Sequence, residues 1–285
     1  MNISIAGFSV HGLNHENKIN IFGYLESCRH RYDLHSADIW NGQIGTNDEA
    51  VLRKVRHEIE ARDLTLVNYH VDGVHLWEDD PDARERNYRN ALIELKAAAT
   101  LGAKTVRFDT GGKIAPMTAE QHDYLVARFG EYCRFAADHG FRIGPENHWG
   151  LSLVANNMET LARDINHPAY GILLHIGHWE DGDPDGGDRR LAPYTVHTHV
   201  DAATTWGGKL ADKMKLLTDA GYVGYWGIEH HSGTNEYAEI AAQLAQVRRV
   251  VTRARWDAHK AESDMAAPPS KTLNPLLTPE QEGQA

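Results

Sequence analysis

Carboxylate and imidazole side chains recur at the ends of four short apolar runs in the second half of the sequence. Glu146 ends the first of these runs, His175 the second, His199 the third and Glu229 the fourth. Both residue types are ligands of divalent metal ions, and four of them converging on one point would form a metal site. A hydrogen-bonded buried imidazole is the ordinary alternative for any single histidine. The two glutamates weigh against it, because burying a pair of carboxylates without a cation is costly.

The elements that must position these side chains are short β-rich runs alternating with longer amphipathic runs. Apolar residues at helical spacing fill the longer runs, and Gly102, Gly140 and Pro168 mark helix ends. The repeated order of strand and helix predicts an α/β fold, a (β/α)8 TIM barrel, with an open doubly wound parallel sheet as the alternative. The eight predicted strands are Ile3–Ala6, Ala37–Trp40, Leu64–Asn68, Lys104–Asp109, Phe141–Asn147, Gly171–Ile176, Tyr194–Val200 and Val223–Glu229.

The carboxyl ends of the strands form one rim of such a barrel, and that rim carries the active site. Strands 5 to 8 are neighbours around the rim, so we expect their terminal Glu and His residues to meet. Alternation along strand 7 puts His197 and His199 on one face, so one is a ligand and the other supports it or packs in the core. Glu229 and His231 likewise share a face.

The barrel is predicted to occupy residues 1–256 as a single domain with a C-terminal extension. Residues 257–285 contain Pro268, Pro269, Pro275 and Pro279 among Ala, Ser, Gln and Glu, which favours a weakly structured tail. The alternative is an arm that packs on a neighbouring subunit, so a homo-oligomer remains open.

Charge and composition exclude several classes of protein. With 40 acidic and 29 basic residues the net charge is −11, which disfavours binding to a nucleic acid or to an anionic membrane. No apolar run reaches the ~18 residues of a membrane span, and residues 1–8 lack the pattern of a signal peptide. Cys28 and Cys133 are predicted to be free buried thiols. We therefore expect a cytoplasmic protein.

Four motifs together resemble the xylose-isomerase-like TIM barrel superfamily of sugar isomerases and epimerases, over roughly residues 1–255. They are Pro145-Glu146-Asn147-His148, His175-Ile176-Gly177-His178, His197-Thr198-His199-Val200-Asp201 and Gly227-Ile228-Glu229. In that family one divalent ion, often manganese, is held by residues of strands 5 to 8. The resemblance implies an ion bound by Glu146, His175, His199 and Glu229, and a substrate contact at His178.

The sequence departs from the family pattern at three positions. The strand-6 ligand is usually Asp, whereas here it is His175. Two Glu and two His ligands balance a divalent ion formally, so zinc, cobalt, iron and magnesium are alternatives to manganese. Ser152 and Thr205 stand where ketose 3-epimerases have a substrate-binding Glu and Arg, which argues against that activity in the narrow sense.

The Glu146-Asn147-His148 triplet resembles members that act on oxidised sugars, such as 3-keto-glycoside lyases and C-glycoside deglycosidases. The resemblance implies removal of a proton alpha to a carbohydrate carbonyl, through a metal-stabilised enediolate. His148, Glu146 and Glu229 are the candidate bases. Reprotonation gives an isomer or an epimer, which is the expected activity. Loss of a beta substituent gives a lyase, which is the alternative, with or without a small partner subunit.

Other polar and aromatic residues near strand ends are candidate contacts for a small sugar or keto-sugar substrate. His70 and Asp109 end strands 3 and 4, while Trp149 and Trp179 follow strands 5 and 6. Indole rings stack on the C–H faces of sugars. The alternative for the tryptophans is packing of loops over the barrel mouth.

Two further functions use the same residues. A phosphodiesterase resembling the endonuclease members would bind three metals and need more His and Asp ligands on strands 2 to 4. Asp38, His70 and Asp109 are available there, but the acidic chain lacks a basic groove. A barrel that binds a sugar without turnover would not need this concentration of Glu and His at one rim.

Overall fold

A computed structural model of the chain describes residues 2–266, in which eight strands alternate with eleven helices. The strands are β1 Ile3–Ile5, β2 Ser36–Trp40, β3 Thr65–Trp77, β4 Thr105–Gly111, β5 Arg142–Gly144, β6 Ile172–His175, β7 Thr195–Val200 and β8 Trp226–Ile228. The helices are α1 His11–His15, α2 Ile21–Glu26, α3 Asn41–Ile44, α4 Glu49–Ala61, α5 Pro81–Leu101, α6 Ala119–His139, α7 Ala155–Ile165, α8 Pro184–Leu191, α9 Ala202–Trp206, α10 Leu210–Asp219 and α11 Glu236–Ala266.

The strands run parallel and close into a barrel. Ladders join β2, β3, β4 and β5 in that order, and a second set joins β6, β7, β8 and β1. A parallel bridge between Ala6 and Asp38 links β1 to β2, and one between Glu146 and Leu173 links β5 to β6. The predicted (β/α)8 barrel is therefore confirmed, and the open doubly wound sheet is wrong.

Alternation along the strands separates an apolar outer layer from a polar interior. Ile39 and Phe108 are fully buried and belong to the apolar core between the strands and the helices. The neighbours of such residues along the strands are buried and polar and point into the barrel. For example, the hydroxyl of Ser4, between Ile3 and Ile5, lies 3.5 Å from Oδ2 of Asp38, which precedes Ile39. Because successive side chains point to opposite faces, the same short strands supply both the core and the site.

Capping residues mark the two ends of the long helices, and Gly102 and Gly140 do so where the sequence predicts. Thr118 caps α6 and accepts a hydrogen bond from the backbone N–H of Gln121, whose side chain accepts one in return from Thr118. Such a cap stabilises a helix by about 1 kcal/mol. Gly140 and Gly102 follow α6 and α5 with φ of 76° and 77°, a conformation in which glycine carries no Cβ penalty.

Three segments differ from the prediction. Strand β3 continues through His75 to Trp77, since Val71, Val74 and Leu76 extend its buried pattern beyond a register shift. The composition of residues 180–188, rich in Gly and Asp, predicts a loop, but α8 begins within this segment and is capped by Asp183. Helix α11 continues to Ala266, ten residues beyond the predicted domain boundary at 256, because no proline interrupts it before Pro268. The remainder of the predicted tail, 267–285, lies outside the described residues.

Two smaller predictions concern the thiols and the membrane. Cys28 and Cys133 are free and buried, as predicted, and burial raises the pKa of each to about 12. Among the helices within residues 2–266, none combines the length and the apolar character needed to cross a bilayer.

Candidate metal centre and active site

Four buried side chains from the ends of β5 to β8 meet at one point. Oε1 of Glu146 lies 3.0 Å from Nδ1 of His199 and 3.3 Å from Nδ1 of His175. Oε2 of Glu229 lies 3.4 Å from each of the same two nitrogens. The four residues predicted as metal ligands are thus brought together, each with one ligand atom facing the others.

The distances among these atoms fit a divalent cation. A tetrahedral site with bonds of about 2.0–2.1 Å separates its ligand atoms by about 3.3 Å. Nδ1 of His175 is also buried without a hydrogen-bond partner, although it faces two carboxylates. Two carboxylates and two imidazoles form a donor set suited to manganese, zinc, cobalt or iron.

The imidazoles and carboxylates of this cluster shift each other's pKa values strongly. Burial lowers the pKa of His175, but the carboxylates of Asp201, Glu146 and Glu229 outweigh burial and raise it to about 9. Burial would raise the pKa values of Glu146 and Glu229, but the charge of His199 holds both well below their usual range. The site therefore favours positive charge, supplied either by imidazolium protons or by an ion.

Arg107 of β4 is a buried cation beside this cluster that the sequence analysis did not single out. Its Nε lies 2.9 Å from Oε2 of Glu146, and its Nη1 lies 2.8 Å from Asp72 and 3.3 Å from Asp109. The residue precedes Asp109 by two positions, so it shares that face of the strand. Considering the residue two positions before each strand end would have identified Arg107.

His148 and Asp109 form a pair on the side of Arg107. Nδ1 of His148 lies 3.5 Å from Oδ1 of Asp109, and the imidazole is 38% exposed. Burial lowers the pKa of His148, but the neighbouring carboxylate of Asp109 and the charge of Glu146 raise it overall. His148 is thus an accessible imidazole held by a buried carboxylate, next to the predicted ion site.

Trp149 lies at the rim beside this pair. Its indole is 51% exposed and stacks on His75 with ring centroids 5.6 Å apart. The indole is therefore accessible at the rim, and its role as a substrate contact stays a prediction.

A groove with a volume of about 460 Å³ extends from the other side of the cluster, between the loops after β6 and β7. His178 and Asp201 line its inner end, and the ring of His178 is 4.7 Å from that of His175. Burial, followed by the charge of His175, lowers the pKa of His178. Trp179 also lines the groove, but it is only 6% exposed and its indole N–H donates to Asp188. This hydrogen bond helps to fix the loop, and contact between Trp179 and a sugar stays a prediction.

His70 does not lie where a substrate contact was predicted. It is 1% exposed, within the long strand β3 rather than at its end, and its Nδ1 is 3.1 Å from Oδ1 of Asp38. Its ring is edge-on to His199 below the four ligand atoms. The prediction misplaced His70 because it ended the strand at Asn68, whereas apolar residues continue the pairing past Gly73.

Two more residues support the cluster from opposite sides. Nε2 of His231 lies 3.1 Å from Oε2 of Glu229, in agreement with the expectation that both share one face. Nε2 of His197 is 2.6 Å from Oδ2 of Asp38, so of the two strand-7 histidines His199 faces the site and His197 supports it from below.

The chain matches the sequence model of one family, described as xylose isomerase-like TIM barrel, over residues 30–250. None of the curated proteins compared matches the sequence.

Several solved structures share the fold. The 3-keto-D-glucoside 4-epimerase of E. coli is 13% identical with a TM-score of 0.67, covering 81% of this chain and 94% of its own. The probable 3-DHS dehydratase of Bacillus anthracis is 15% identical with a TM-score of 0.66, covering 86% and 98%. A xylose isomerase-like TIM barrel protein of Mycobacterium smegmatis, in complex with magnesium, is 16% identical with a TM-score of 0.65, covering 83% and 90%. The barrel and the family match over residues 30–250 agree, and this chain belongs to the xylose isomerase-like TIM barrel family.

Proposed function

We propose that this chain is a divalent-metal-dependent enzyme of the sugar isomerase and epimerase type, which removes a proton alpha to a carbohydrate carbonyl. The observation that carries the proposal is the convergence of four buried side chains, Glu146, His175, His199 and Glu229. Their imidazole–carboxylate N···O distances are 3.0–3.4 Å, and all four atoms lie within 4.8 Å of one another. Imidazolium protons would also balance the two carboxylates, but Nδ1 of His175 and Oε2 of Glu229 have no hydrogen-bond partner, and a cation would engage all four atoms.

When bound there, the ion supplies a Lewis acid that stabilises negative charge on a carbonyl oxygen. The four side chains hold it. Manganese is our first expectation. Zinc, cobalt and iron are alternatives because two imidazoles suit the later metals, and magnesium is an alternative through the two carboxylates.

His148 is the proposed base that removes the proton. Of the three candidates, Glu146 and Glu229 are ligands with depressed pKa values, so neither accepts a proton readily. His148 faces Asp109 through Nδ1, which leaves Nε2 to take the proton. Asp109 stabilises the imidazolium that forms, in the way that a carboxylate supports a histidine base.

The remaining residues bind and orient the substrate. Trp149 offers an exposed ring face to a sugar, and His178 offers an imidazole on the opposite side of the ligand cluster. The low pKa of His178 keeps it neutral, so it can donate a hydrogen bond to one hydroxyl and accept one from another. The proposed substrate is therefore a small neutral sugar or keto-sugar.

Beta-elimination on a 3-keto glycoside is the second candidate. It is favoured by the groove beyond His178 and Asp201, which leaves room for a second ring or a leaving group. The similar fold of a probable dehydratase supports the same possibility. Both reactions begin with the proposed proton removal, so they differ only after that step.

Solvent exchange tests the shared step directly. Wild-type protein loaded with Mn²⁺ is incubated in D2O with keto sugars and 3-keto glycosides, and deuterium is followed by mass spectrometry. We expect incorporation at a carbon next to the carbonyl, and loss of incorporation after chelation. Exchange unchanged by complete removal of the ion, or no exchange and no turnover with any member of the panel, would contradict the proposal.

A further inference from the structure

Asp38 lies inside the barrel on the side of His199 away from the ligand cluster, and it is completely buried. Its Oδ1 accepts hydrogen bonds from Nδ2 of Asn68 at 2.8 Å and from Nδ1 of His70 at 3.1 Å. Its Oδ2 lies 2.6 Å from Nε2 of His197 and 3.3 Å from Nε2 of His199. One carboxylate is thus the common acceptor for four side chains from β3 and β7.

The two ring nitrogens of His199 face different partners. Nδ1 points at the ligand cluster, 3.0 Å from Oε1 of Glu146 and 3.4 Å from Oε2 of Glu229. Nε2 points at Asp38. An ionised carboxylate only accepts hydrogen bonds, so Nε2 carries a hydrogen and the lone pair of a neutral ring lies on Nδ1.

Gly227 leaves the space in which His199 and Asp38 meet. A Cβ at this position would lie 3.0 Å from Cδ2 of His199 and 3.1 Å from Oδ2 of Asp38. It would also approach the carbonyl oxygen of Thr198 to 2.5 Å, so the backbone itself resists a side chain there. This close packing fixes the orientation of the imidazole.

Asp38, His70 and His199 lie close enough together to resemble a second ion site. The donors around Asp38 argue against that reading. The amide N–H of Asn68 cannot lose its hydrogen, and it occupies Oδ1. A hydrogen-bonded hub explains the contacts without an additional ion.

We propose that Asp38 is a positioning residue: its carboxylate holds His199 in the tautomer with hydrogen on Nε2, so that Nδ1 is available to a divalent ion. This inference rests on the proposed metal site. The ligand acts on the ion, and Asp38 acts only through the ligand, as carboxylates commonly do behind metal-bound histidines.

The backbone of Asp38 has a separate structural role. Its N–H donates to the hydroxyl of Tyr24 at 2.9 Å, and Ala6 bridges to Asp38 across the β1–β2 seam. A side-chain substitution leaves these backbone contacts in place. Structural and positioning effects are therefore separable.

Asp38→Asn tests the inference because Asn has the same shape but one donor in place of an acceptor. If its oxygen faces His197 and His199, its NH2 group meets the donor of Asn68. If it turns over, its NH2 group meets Nε2 of His199 and favours the tautomer with hydrogen on Nδ1. We expect Mn²⁺ and Zn²⁺ to bind about 10–100-fold more weakly than in wild type.

Ser36→Ala is the matched control. The hydroxyl of Ser36 also donates across the β1–β2 seam, to the carbonyl of Ile3 at 2.6 Å, and does not contact His199. We expect a modest loss of thermal stability in this variant and an unchanged metal affinity. Asp38→Asn binding within twofold of wild type, while wild type binds tightly, would overturn the role of Asp38.

A measurement on the wild-type protein tests the same inference if Asp38→Asn does not fold. In ¹H–¹⁵N NMR of the zinc-loaded protein, we expect hydrogen on Nε2 of His199, assigned by comparison with His199→Gln. Hydrogen on Nδ1 would refute the inference. If wild type binds no divalent ion, the proposed function fails; if it binds one and the tautomer is wrong, only the role of Asp38 fails.

Discussion

The guanidinium of Arg107 lies against Glu146, with its Nε 2.9 Å from Oε2 of that carboxylate. The other oxygen of Glu146 lies 3.0 Å from Nδ1 of His199. Glu146 is therefore held between a permanent cation and a ligand nitrogen. This arrangement supports the proposal that Glu146 is a fixed ligand and that His148 removes the proton.

Replacing Arg107 by Met should destabilise the fold strongly. The guanidinium is 4% exposed and balances Asp72, Asp109 and Glu146. Breaking a buried ion pair leaves an uncompensated charge and costs about 3–5 kcal/mol. Urea unfolding at pH 7 would measure the loss in free energy of unfolding.

Arg89→Met is the comparison for that experiment, because Arg89 pairs with Glu85 on the exposed surface of α5. Such a pair contributes about 0.3–0.5 kcal/mol. Equal losses for both variants would show that Arg107 is not the charge that holds the interior carboxylates.

Glu229→Gln should lower metal affinity more than substitution of a supporting residue such as Asp38 does. The neutral amide removes one negative charge from the ligand set, and we expect a loss of more than about 100-fold. Calorimetric titration with Mn²⁺ would measure it. Glu94→Gln is the control, since Glu94 is a buried carboxylate that accepts from Tyr69 and Asn47 away from the site. Unaltered binding by Glu229→Gln would remove that residue from the ligand set.

His148→Gln should keep the ion and lose proton exchange. The imidazole pairs with Asp109 and does not belong to the four-residue cluster. Removal of a general base costs about 10²–10⁴-fold in rate. Metal content by emission spectrometry and deuterium exchange by mass spectrometry separate the two effects. His122→Gln, on the surface of α6, should change neither, and exchange at the wild-type rate in His148→Gln would assign the base elsewhere.

Metal affinity should increase with pH up to about pH 9. A metal binds the neutral imidazole, and the pKa of His175 is raised to about 9 before an ion binds. The pKa of His199 is raised as well. Below these values each bound ion must displace the protons, so we expect release of about two protons per ion at pH 7. Titration calorimetry in buffers with different ionisation enthalpies counts them, and binding without proton release would contradict the protonation described for the site.

The convergence of four side chains could be predicted from sequence because each ends a short apolar run, and their role as ligands stays a prediction. Strand period and barrel geometry bring such positions to one rim, so Glu146, His175, His199 and Glu229 needed no contact information. His148 followed from its place beside Glu146. The chemistry at the strand ends is therefore encoded locally.

The roles of Arg107 and Asp38 were not predicted because they depend on contacts across the barrel. Each lies below the strand ends that the prediction considered, and each is meaningful only through partners on other strands. His70 was misplaced for a related reason, since the length of β3 depends on pairing with β4 as well as on its own residues. Helix α8 was not predicted because Gly186 and Gly187 have low helix propensity, although Asp183 and Pro184 form a normal helix start.

Anomalous diffraction from crystals grown with Mn²⁺ or Zn²⁺ tests the central claim most directly. We expect one strong peak per chain, within bonding distance of Oε1 of Glu146, Nδ1 of His175, Nδ1 of His199 and Oε2 of Glu229. The peak should disappear in Glu229→Gln crystals grown at the same ion concentration. A peak elsewhere in the barrel, or none at saturating ion, would contradict the account.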